Sequence, residues 1–174
     1  NESFRIGGRL IERTVEIGDT VRPGQLLARL DPQNEESSLQ AARAQLVAAQ
    51  AQLVEARNNH TRMRDLVAEN AVSRAAFDQA VAVLQTAESQ VNSARASVNL
   101  AENRLSYTQL HATAAGLVTA RGAEPGEVVG AGSMVAQVAR EGARDAVFDV
   151  PAQVKDSAAR RTGITVALVD DPKI

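Results

Sequence analysis

Apolar residues recur every seven positions through the middle of the chain, in two successive runs. In the first run the larger side chains share one heptad position: Leu39, Leu46, Leu53, His60 and Val67. The position three residues later holds Ala42, Ala49, Ala56 and Met63. The second run has large residues at Phe77, Leu84, Val91, Val98 and Leu105, and small ones at Ala80, Ala87, Ala94 and Ala101. Two apolar positions per heptad are typical of helices that pack along a shared seam, so the pattern predicts two long helices in close contact.

Residues suited to helix starts mark where each helix begins. Asp31-Pro32 is expected to cap and open the first helix, and Ser73 to cap the second. About five residues separate Val67 from Ser73, so the connection is a tight turn and the helices must fold back antiparallel.

Charged residues beside the seam agree with the antiparallel arrangement. Folding the chain about the turn puts Arg43 near Glu102 and Arg57 near Glu88. Each exposed pair contributes only ~0.2–1 kcal/mol, so such pairs fix the register more than they add stability. Arms of roughly 35 residues would each reach about 50 Å at ~1.5 Å per residue. The sequence therefore predicts a slender two-helix hairpin.

The two segments that flank the hairpin repeat each other. Residues 8–30 align with residues 116–138 at a constant offset of 108 residues, without a gap. The glycines of the two segments coincide, with Gly8, Gly18 and Gly24 falling on Gly116, Gly126 and Gly132. Each half alternates apolar residues with glycines, which predicts short strands joined by turns that use positive φ. Neither half could bury a core alone, so we expect both to form one small β-sandwich with the hairpin inserted between them.

Composition excludes several functional classes. The formal net charge of −2 gives no general attraction to nucleic acid, and an aromatic content of 2% leaves no stacking platform for bases. The chain has no cysteine, and its two histidines, His60 and His111, lie far apart without a cluster of ligand partners. No catalytic set, cofactor site or metal site is predicted, and no apolar run approaches the ~20 residues that span a bilayer. His60 is interpreted as a core residue near a helix end, with pH sensing as the alternative.

Two halves marked by turn glycines resemble the lipoyl/biotinyl fold. Because a helical hairpin separates the halves, the chain resembles the periplasmic adaptor proteins of tripartite efflux pumps. These adaptors are also called membrane fusion proteins, and the resemblance is to those of the resistance-nodulation-division type. The stretch "VEIGDTVRPGQLLARLD", residues 15–31, is similar to the family's first half. The stretch "LSYTQLHATAAGLV", residues 105–118, is similar to its return into the second half. One departure is Ala112-Thr113, which stands where the family usually has an Ala-Pro pair.

The resemblance implies an α+β fold: an antiparallel α-helical coiled-coil hairpin inserted between two halves of a lipoyl-like β-sandwich, plus part of a β-barrel domain. The expected lipoyl-like domain comprises residues 4–31 and 112–142, and the expected hairpin comprises residues 32–111. Residues 143–174 are expected to begin an incomplete β-barrel domain. Both ends of the chain are therefore expected to be cut from a larger protein.

The stretch "RMRDLVAENAVSR", residues 62–74, breaks the alanine-rich pattern at the predicted end of the hairpin. Leu66 is the apolar member of a heptad column that otherwise holds Gln45, Gln52 and Asn59. Considered one at a time, these residues have simple structural interpretations: Arg62 as a solvent-exposed charge, Leu66 as a side chain that covers the turn, and Ser73 as a helix cap. Together the three match, position for position, an arginine, a leucine and a serine with which the adaptor family engages the outer-membrane channel. The resemblance therefore implies a partner-binding site at Arg62, Leu66 and Ser73.

The resemblance also implies a non-enzymatic adaptor that links an inner-membrane transporter to an outer-membrane channel, without cofactor or nucleic acid. It places the protein in the periplasm, anchored to the inner membrane by a segment absent from this chain, in a homo-oligomeric ring that is hexameric in the family. Alternatives within the family are an adaptor of an ATP-driven exporter or of a type I secretion system. A lipoyl or biotin carrier is disfavoured because it needs a lysine at the turn between the halves, whereas the only lysines are Lys155 and Lys173.

The back of the first helix carries a surface of small apolar residues away from the seam. This surface fits either packing against a neighbouring hairpin in a ring or a simple alanine-rich helix. Its members are Ala41, Ala44, Val47, Ala48, Ala51 and Val54.

Overall fold

A computed structural model of the protein describes residues 1–140 as two long helices and eight short strands. The first half contributes β1 (Glu2–Ser3), β2 (Gly8–Arg13), β3 (Thr20–Val21) and β4 (Leu26–Leu30). The helices α1 (Gln33–Ala68) and α2 (Arg74–Ser106) follow. The second half contributes β5 (Gln109–His111), β6 (Gly116–Arg121), β7 (Val128–Val129) and β8 (Met134–Arg140). The predicted β-barrel segment, residues 143–174, lies outside the described residues.

The two helices pack along the predicted seam. Its buried members are Leu39, Ala42, Ala49, Leu53 and Ala56 on α1, and Ala80, Ala87, Val91, Val98 and Ala101 on α2. Towards the turn the seam becomes half-buried, and there the His60 and Phe77 rings contact each other with centroids 5.4 Å apart. This contact supports the interpretation of His60 as a core residue near a helix end. On the back of α1, Val47 and Val54 are 65% and 57% exposed, as their position outside the seam predicts.

Both predicted ion pairs join the helices. Arg43 Nη2 lies 2.9 Å from Glu102 Oε1, and Arg57 Nη2 lies 3.5 Å from Glu88 Oε1. All four side chains are well exposed, so the pairs contribute little stability. They confirm the predicted antiparallel register.

The start of α1 follows its predicted sequence signal. The Gln33 N–H donates a hydrogen bond of 3.1 Å to Asp31 Oδ1. Pro32 precedes the first helical residue, and its carbonyl accepts from the Glu36 N–H at 2.8 Å. Asp31 and Pro32 therefore open the helix together, the first by its carboxylate and the second by its carbonyl.

The β module consists of two antiparallel sheets, and each sheet takes strands from both halves of the chain. The strand orders are β1-β8-β6-β3 and β5-β4-β2-β7. Exchanging each strand for its repeat partner (β1 for β5, β2 for β6, β3 for β7 and β4 for β8) converts one order into the other. This confirms the internal repeat and extends it to β1 and β5, which lie just outside the ranges 4–31 and 112–142 expected for the lipoyl-like domain. Strands of two or three residues are too short to show an alternating pattern in the sequence.

The core of the module lies between the two sheets and is filled from both halves. Leu10 and its repeat partner Val118 are fully buried, as are Leu27 and its partner Val135. Because half of these side chains come from each repeat, neither repeat has a complete core of its own. This explains why the two halves must assemble across the inserted hairpin.

The turn glycines tie the two halves together through their backbones. The Gly126 N–H donates to the Leu10 carbonyl at 2.7 Å, and the Gly18 N–H donates to the repeat-related Val118 carbonyl at 2.9 Å. The φ angles of Gly18 and Gly126 are +96° and +99°, in the region that favours glycine. The predicted turn function of these glycines is confirmed.

A cluster of two arginines and two glutamates joins the turn after β2 to the turn after β6. Arg13 Nη2 lies 3.2 Å from both Glu16 Oε1 and Glu124 Oε2. The repeat-related Arg121 contacts the same two glutamates at 3.3 and 3.4 Å. Each half therefore supplies one arginine and one glutamate to a cluster that follows the symmetry of the fold. The Arg13 side chain is almost entirely buried, which strengthens its pairing relative to that of an exposed arginine.

A second polar contact links the beginning of the chain to the return from the hairpin. Glu2 is only 7% exposed, and its Oε1 accepts hydrogen bonds from Thr113 Oγ1 at 2.6 Å and the Thr113 N–H at 3.2 Å. A proline at this position could donate neither bond. Thr113, which stands where the family usually has a proline, is thus hydrogen-bonded to Glu2.

Candidate functional site

The tip of the hairpin is a compact turn with a defined backbone. Glu69 follows the last residue of α1, and Asn70 then adopts a left-handed conformation with φ of +58°. The Asn70 N–H donates to the Val67 carbonyl at 3.1 Å, and the Ala71 N–H donates to the Leu66 carbonyl at 2.9 Å. These two bonds form a Schellman motif, in which the last carbonyls of a helix are satisfied by the residues that leave it. The role of Asn70 was not predicted from the sequence, although asparagine is a common residue at this position.

Ser73 begins the second helix as predicted. Its backbone is extended, with φ of −73° and ψ of 153°, and its Oγ accepts a hydrogen bond from the Ala76 N–H at 3.2 Å. This is the N-cap geometry expected of a serine that precedes a helix. The structural role of Ser73 is therefore confirmed, whereas its role in partner binding stays a prediction.

The structure places all three predicted site residues at this end of the hairpin. Arg62 and Leu66 lie one turn apart on α1 and share a face, and Ser73 stands at the start of α2. Arg62 and Ser73 are exposed. Leu66 is half-buried, so it partly covers the turn and partly faces solvent. From the sequence Leu66 fitted either turn cover or partner binding, and the observed burial is compatible with both.

The arginines near the tip differ in their pairing. Arg64 contacts the adjacent Asp65, with Nη2 3.0 Å from Oδ1. Within residues 1–140, no carboxylate lies within 4 Å of the Arg62 guanidinium. Arg74, at the start of α2, is likewise exposed and has no carboxylate within 4 Å in this range, so Arg62 and Arg74 both present an unpaired charge at the tip.

The two sides of the hairpin differ in charge, and Leu66 lies at the end of the less charged one. This side carries a groove of about 450 Å³ between the helices, lined mainly by amide, hydroxyl and small apolar side chains. Gln52 and Asn59 line the groove, and Leu66 continues their heptad column towards the tip. Glu55 is the only charged residue of the lining. The opposite side carries the interhelical ion pairs together with Arg95.

Two other kinds of site are relevant to the described residues, a metal centre and a membrane-spanning helix. Over residues 1–140, no group of three or more histidine or acidic side chains is arranged to hold a metal ion. None of the helices in this range is long and apolar enough to cross a membrane. The side chains predicted at the tip are an arginine, a leucine and a serine, and their role in partner binding stays a prediction.

An antiparallel hairpin inserted into a split lipoyl-like sandwich defines a class of adaptor module, and comparison with known proteins gives its family. Residues 38–108 match the family model described as "RND MFP, alpha-helical hairpin domain". The chain belongs to the membrane fusion proteins of efflux pumps, and the predicted resemblance to those of the resistance-nodulation-division type is confirmed.

Individual relatives support this family. The chain is 33% identical over 126 residues to the efflux pump periplasmic linker BepD of Brucella suis, covering 72% of this chain and 32% of that protein. It is 34% identical over 128 residues to the membrane fusion protein MtrC of Neisseria gonorrhoeae, covering 74% of this chain and 31% of that protein. The chain thus spans about a third of the length of these relatives.

A solved structure shows the same fold. The crystal structure of MacA from Actinobacillus actinomycetemcomitans superposes with a TM-score of 0.66 at 26% sequence identity, covering 80% of this chain and 49% of that one. The predicted fold class is thereby confirmed for the hairpin and the split β-sandwich.

Proposed function

We propose that this chain is part of a periplasmic adaptor subunit of a tripartite multidrug efflux pump. In this proposal it links an inner-membrane transporter to an outer-membrane channel and catalyses no reaction. The observation that carries the proposal is the presentation of Arg62, Leu66 and Ser73 at the tip of a hairpin that matches the family model.

The physical basis of the proposed contact is a combination of three side chains with different chemistry. Arg62 supplies a guanidinium with up to five N–H donors, Leu66 an apolar side chain, and Ser73 a small hydroxyl. Such a set can fit between the helix ends of a partner protein. The neighbouring Arg64 is held by Asp65, so Arg62 offers the charge without breaking an existing pair.

The family resemblance supports the wider parts of the proposal. It favours a homo-oligomeric ring, hexameric in the family, and anchorage of the complete protein to the inner membrane on its periplasmic side. The description of the matched family model favours a transporter of the resistance-nodulation-division type. An ATP-driven exporter or a type I secretion system is the alternative partner, and the genes adjacent to the one that encodes this chain would distinguish them.

Charge reversal and apolar loss at the tip test the proposal. Arg62→Asp and Leu66→Ser, introduced into the complete protein, should abolish drug efflux in cells. Arg62→Asp would place an unpaired carboxylate in a contact, which costs several kcal/mol. As an exposed substitution, it should change the free energy of unfolding by under ~0.5 kcal/mol.

Matched controls lie on α2, away from the tip. Arg95→Asp repeats the charge reversal at an exposed arginine, and Leu100→Ser repeats the apolar loss at a leucine that is 57% exposed. Both controls should retain efflux. Because Leu66 is half-buried, the helicity and unfolding midpoint of Leu66→Ser must be measured beside its efflux. Normal drug resistance in cells that carry Arg62→Asp and Leu66→Ser together would refute the docking site.

A further inference from the structure

A groove of about 310 Å³ lies on the β module, between the edge strands of its two sheets. β1 and the residues that follow it form one wall, and β5 forms the other. Glu2 and Arg5 project from the first wall and His111 from the second, while Tyr107 contributes its ring just before β5. The groove thus combines ionisable side chains with an aromatic ring, and it shares no residue with the hairpin tip.

Glu2 supplies a buried carboxylate to this groove that is only half satisfied. The residue is 7% exposed, and both of its hydrogen bonds, from the Thr113 hydroxyl and N–H, reach Oε1. Within residues 1–140, no hydrogen bond reaches Oε2, and no basic nitrogen lies within 4 Å of the carboxylate. Oε2 is not sealed in the core, since the buried side-chain atoms without a partner in this range are Arg13 Nε and Arg29 Nε. The groove therefore contains an open acceptor that carries negative charge.

The internal repeat shows that the fold does not need a carboxylate at this position. At the constant offset of 108 residues Glu2 falls on Leu110, which is buried in β5. An apolar side chain therefore fills the equivalent place in the other half. Burying a charge is unfavourable unless the charge is paired and fully hydrogen-bonded. An incompletely paired carboxylate at a position where leucine serves the fold indicates a role in binding.

The second element of the groove is a cation on an aromatic ring. The Arg5 guanidinium carbon lies 5.2 Å from the centroid of the Tyr107 ring. In the part of the chain that the structure describes, no carboxylate lies within 4 Å of this guanidinium. Arg5 is exposed, and cation–π contacts at exposed positions are weak. The ring is therefore occupied by a group that a better ligand can displace.

The arrangement of these elements defines the shape of a ligand. Six residues separate Tyr107 from Thr113, which holds Glu2, so the ring and the carboxylate mark the two ends of the groove. A ligand that contacts both must be elongated. Its charged end must be a cation with an N–H donor for Glu2 Oε2, and its other end must be able to stack on the Tyr107 ring.

We propose that this groove binds an elongated, amphipathic organic cation. The ammonium or similar head donates a hydrogen bond to Glu2 Oε2, and the aromatic body lies against the Tyr107 ring in place of Arg5. Arg5 is then an internal competitor, which occupies the ring while no ligand is bound. This site lies outside the hairpin and goes beyond the proposed adaptor function, so neither depends on the other.

Three substitutions separate the elements of the site. Glu2→Gln removes the charge and keeps an acceptor for Thr113, and Tyr107→Leu removes the ring. Arg5→Gln removes the internal competitor. Arg9→Gln is the matched control for the lost positive charge, because Arg9 is an exposed arginine of β2 that does not line the groove.

Binding is measured by isothermal titration calorimetry on the complete protein, with 4-phenylbenzylammonium as the probe. The neutral analogue 4-phenylbenzyl alcohol has nearly the same shape and should bind about tenfold more weakly or worse. Glu2→Gln should weaken binding of the probe by about tenfold, and Tyr107→Leu by about threefold or more. Arg5→Gln should strengthen it by about two- to fivefold, whereas Arg9→Gln should leave it within about twofold.

Thermal unfolding of each variant is recorded beside its binding. Arg5→Gln alters an exposed side chain and should fold normally, so its result stands even where Glu2→Gln or Tyr107→Leu is unstable. Equal binding of the probe and the alcohol, undiminished binding by folded Glu2→Gln, or no binding by either Arg5→Gln or the unsubstituted protein would overturn the site. Unchanged or weaker binding by Arg5→Gln would overturn the role of Arg5 as a competitor. Each of these results leaves the docking of the tip, which efflux by Arg62→Asp tests, unaffected.

Discussion

Replacing Thr113 with valine tests whether the Glu2 contact stabilises the β module. Valine keeps the shape of threonine but loses the hydroxyl, so Glu2 Oε1 would lose its 2.6 Å bond and keep only the bond from the backbone N–H. The carboxylate is 7% exposed and cannot fully recover the lost bond from water. Hydrogen bonds to charged groups contribute about 1.5–3 kcal/mol, and the exposure of Thr113 favours the lower part of that range. We expect Thr113→Val to lower the free energy of unfolding by about 1–2 kcal/mol.

The internal repeat supplies a rescue for this variant. The position equivalent to Glu2 in the second half is Leu110, which is also buried and is apolar. Glu2→Leu should therefore restore part of the stability lost in Thr113→Val, because it removes the other partner of the side-chain bond but also the acceptor of the Thr113 N–H. The double-mutant cycle should show a coupling energy of about 1 kcal/mol or more.

Urea unfolding followed by the fluorescence of Tyr107 measures this effect. Tyr107 is the only tyrosine of a chain without tryptophan, and it lies between α2 and β5, with the Arg5 guanidinium 5.2 Å from its ring centroid. Its signal should report the side of the module that contains Glu2 and Thr113. Unchanged stability of Thr113→Val, or additive losses in the double variant, would refute the stabilising role of the contact.

Three further predictions concern the hairpin and the turns. Cysteines that replace Arg43 and Glu102 should form an intramolecular disulfide under mild oxidation, detected on non-reducing gels. If the cysteine at position 43 instead cross-linked to one placed a heptad away from position 102, the register would be wrong. Gly126→Val should destabilise the β module by about 1–2 kcal/mol in urea unfolding, because the φ of +99° at this position disfavours any side chain. The cost would come from the backbone conformation, since a Cβ at this position would meet no atom within 4 Å. Asn70→Gly should preserve or slightly raise the thermal unfolding midpoint of the hairpin, because glycine adopts the left-handed conformation readily. Asn70→Val should lower the stability by about 1 kcal/mol. Equal midpoints for the two variants would contradict the need for a left-handed residue at this position.

The hairpin could be predicted almost completely from the sequence because its determinants are local. The heptad positions select the buried faces, Ser73 provides a cap, and the short connection forces the helices to be antiparallel. Once the turn is placed, the register follows by counting, and this is why Arg43 and Glu102 could be paired in advance. The details of the tip could not be predicted in the same way. The left-handed conformation of Asn70 and the half-burial of Leu66 depend on how the last turn of α1 closes.

That two glycine-marked halves form one module could be predicted without the structure, because turn glycines and alternating apolar residues repeat at a fixed offset. How the halves interleave, with two strands of each half in each sheet, is seen only in the folded chain. The Arg13–Glu124 and Arg121–Glu16 pairs and the Glu2–Thr113 contact follow from that interleaving, since their partners lie more than a hundred residues apart. The two arginines and two glutamates of the cluster lie within the repeat, but a linear pattern fixes which residues are equivalent and not which ones meet. Their contacts arise only when the long hairpin returns the chain to the first half and both repeats close around one core.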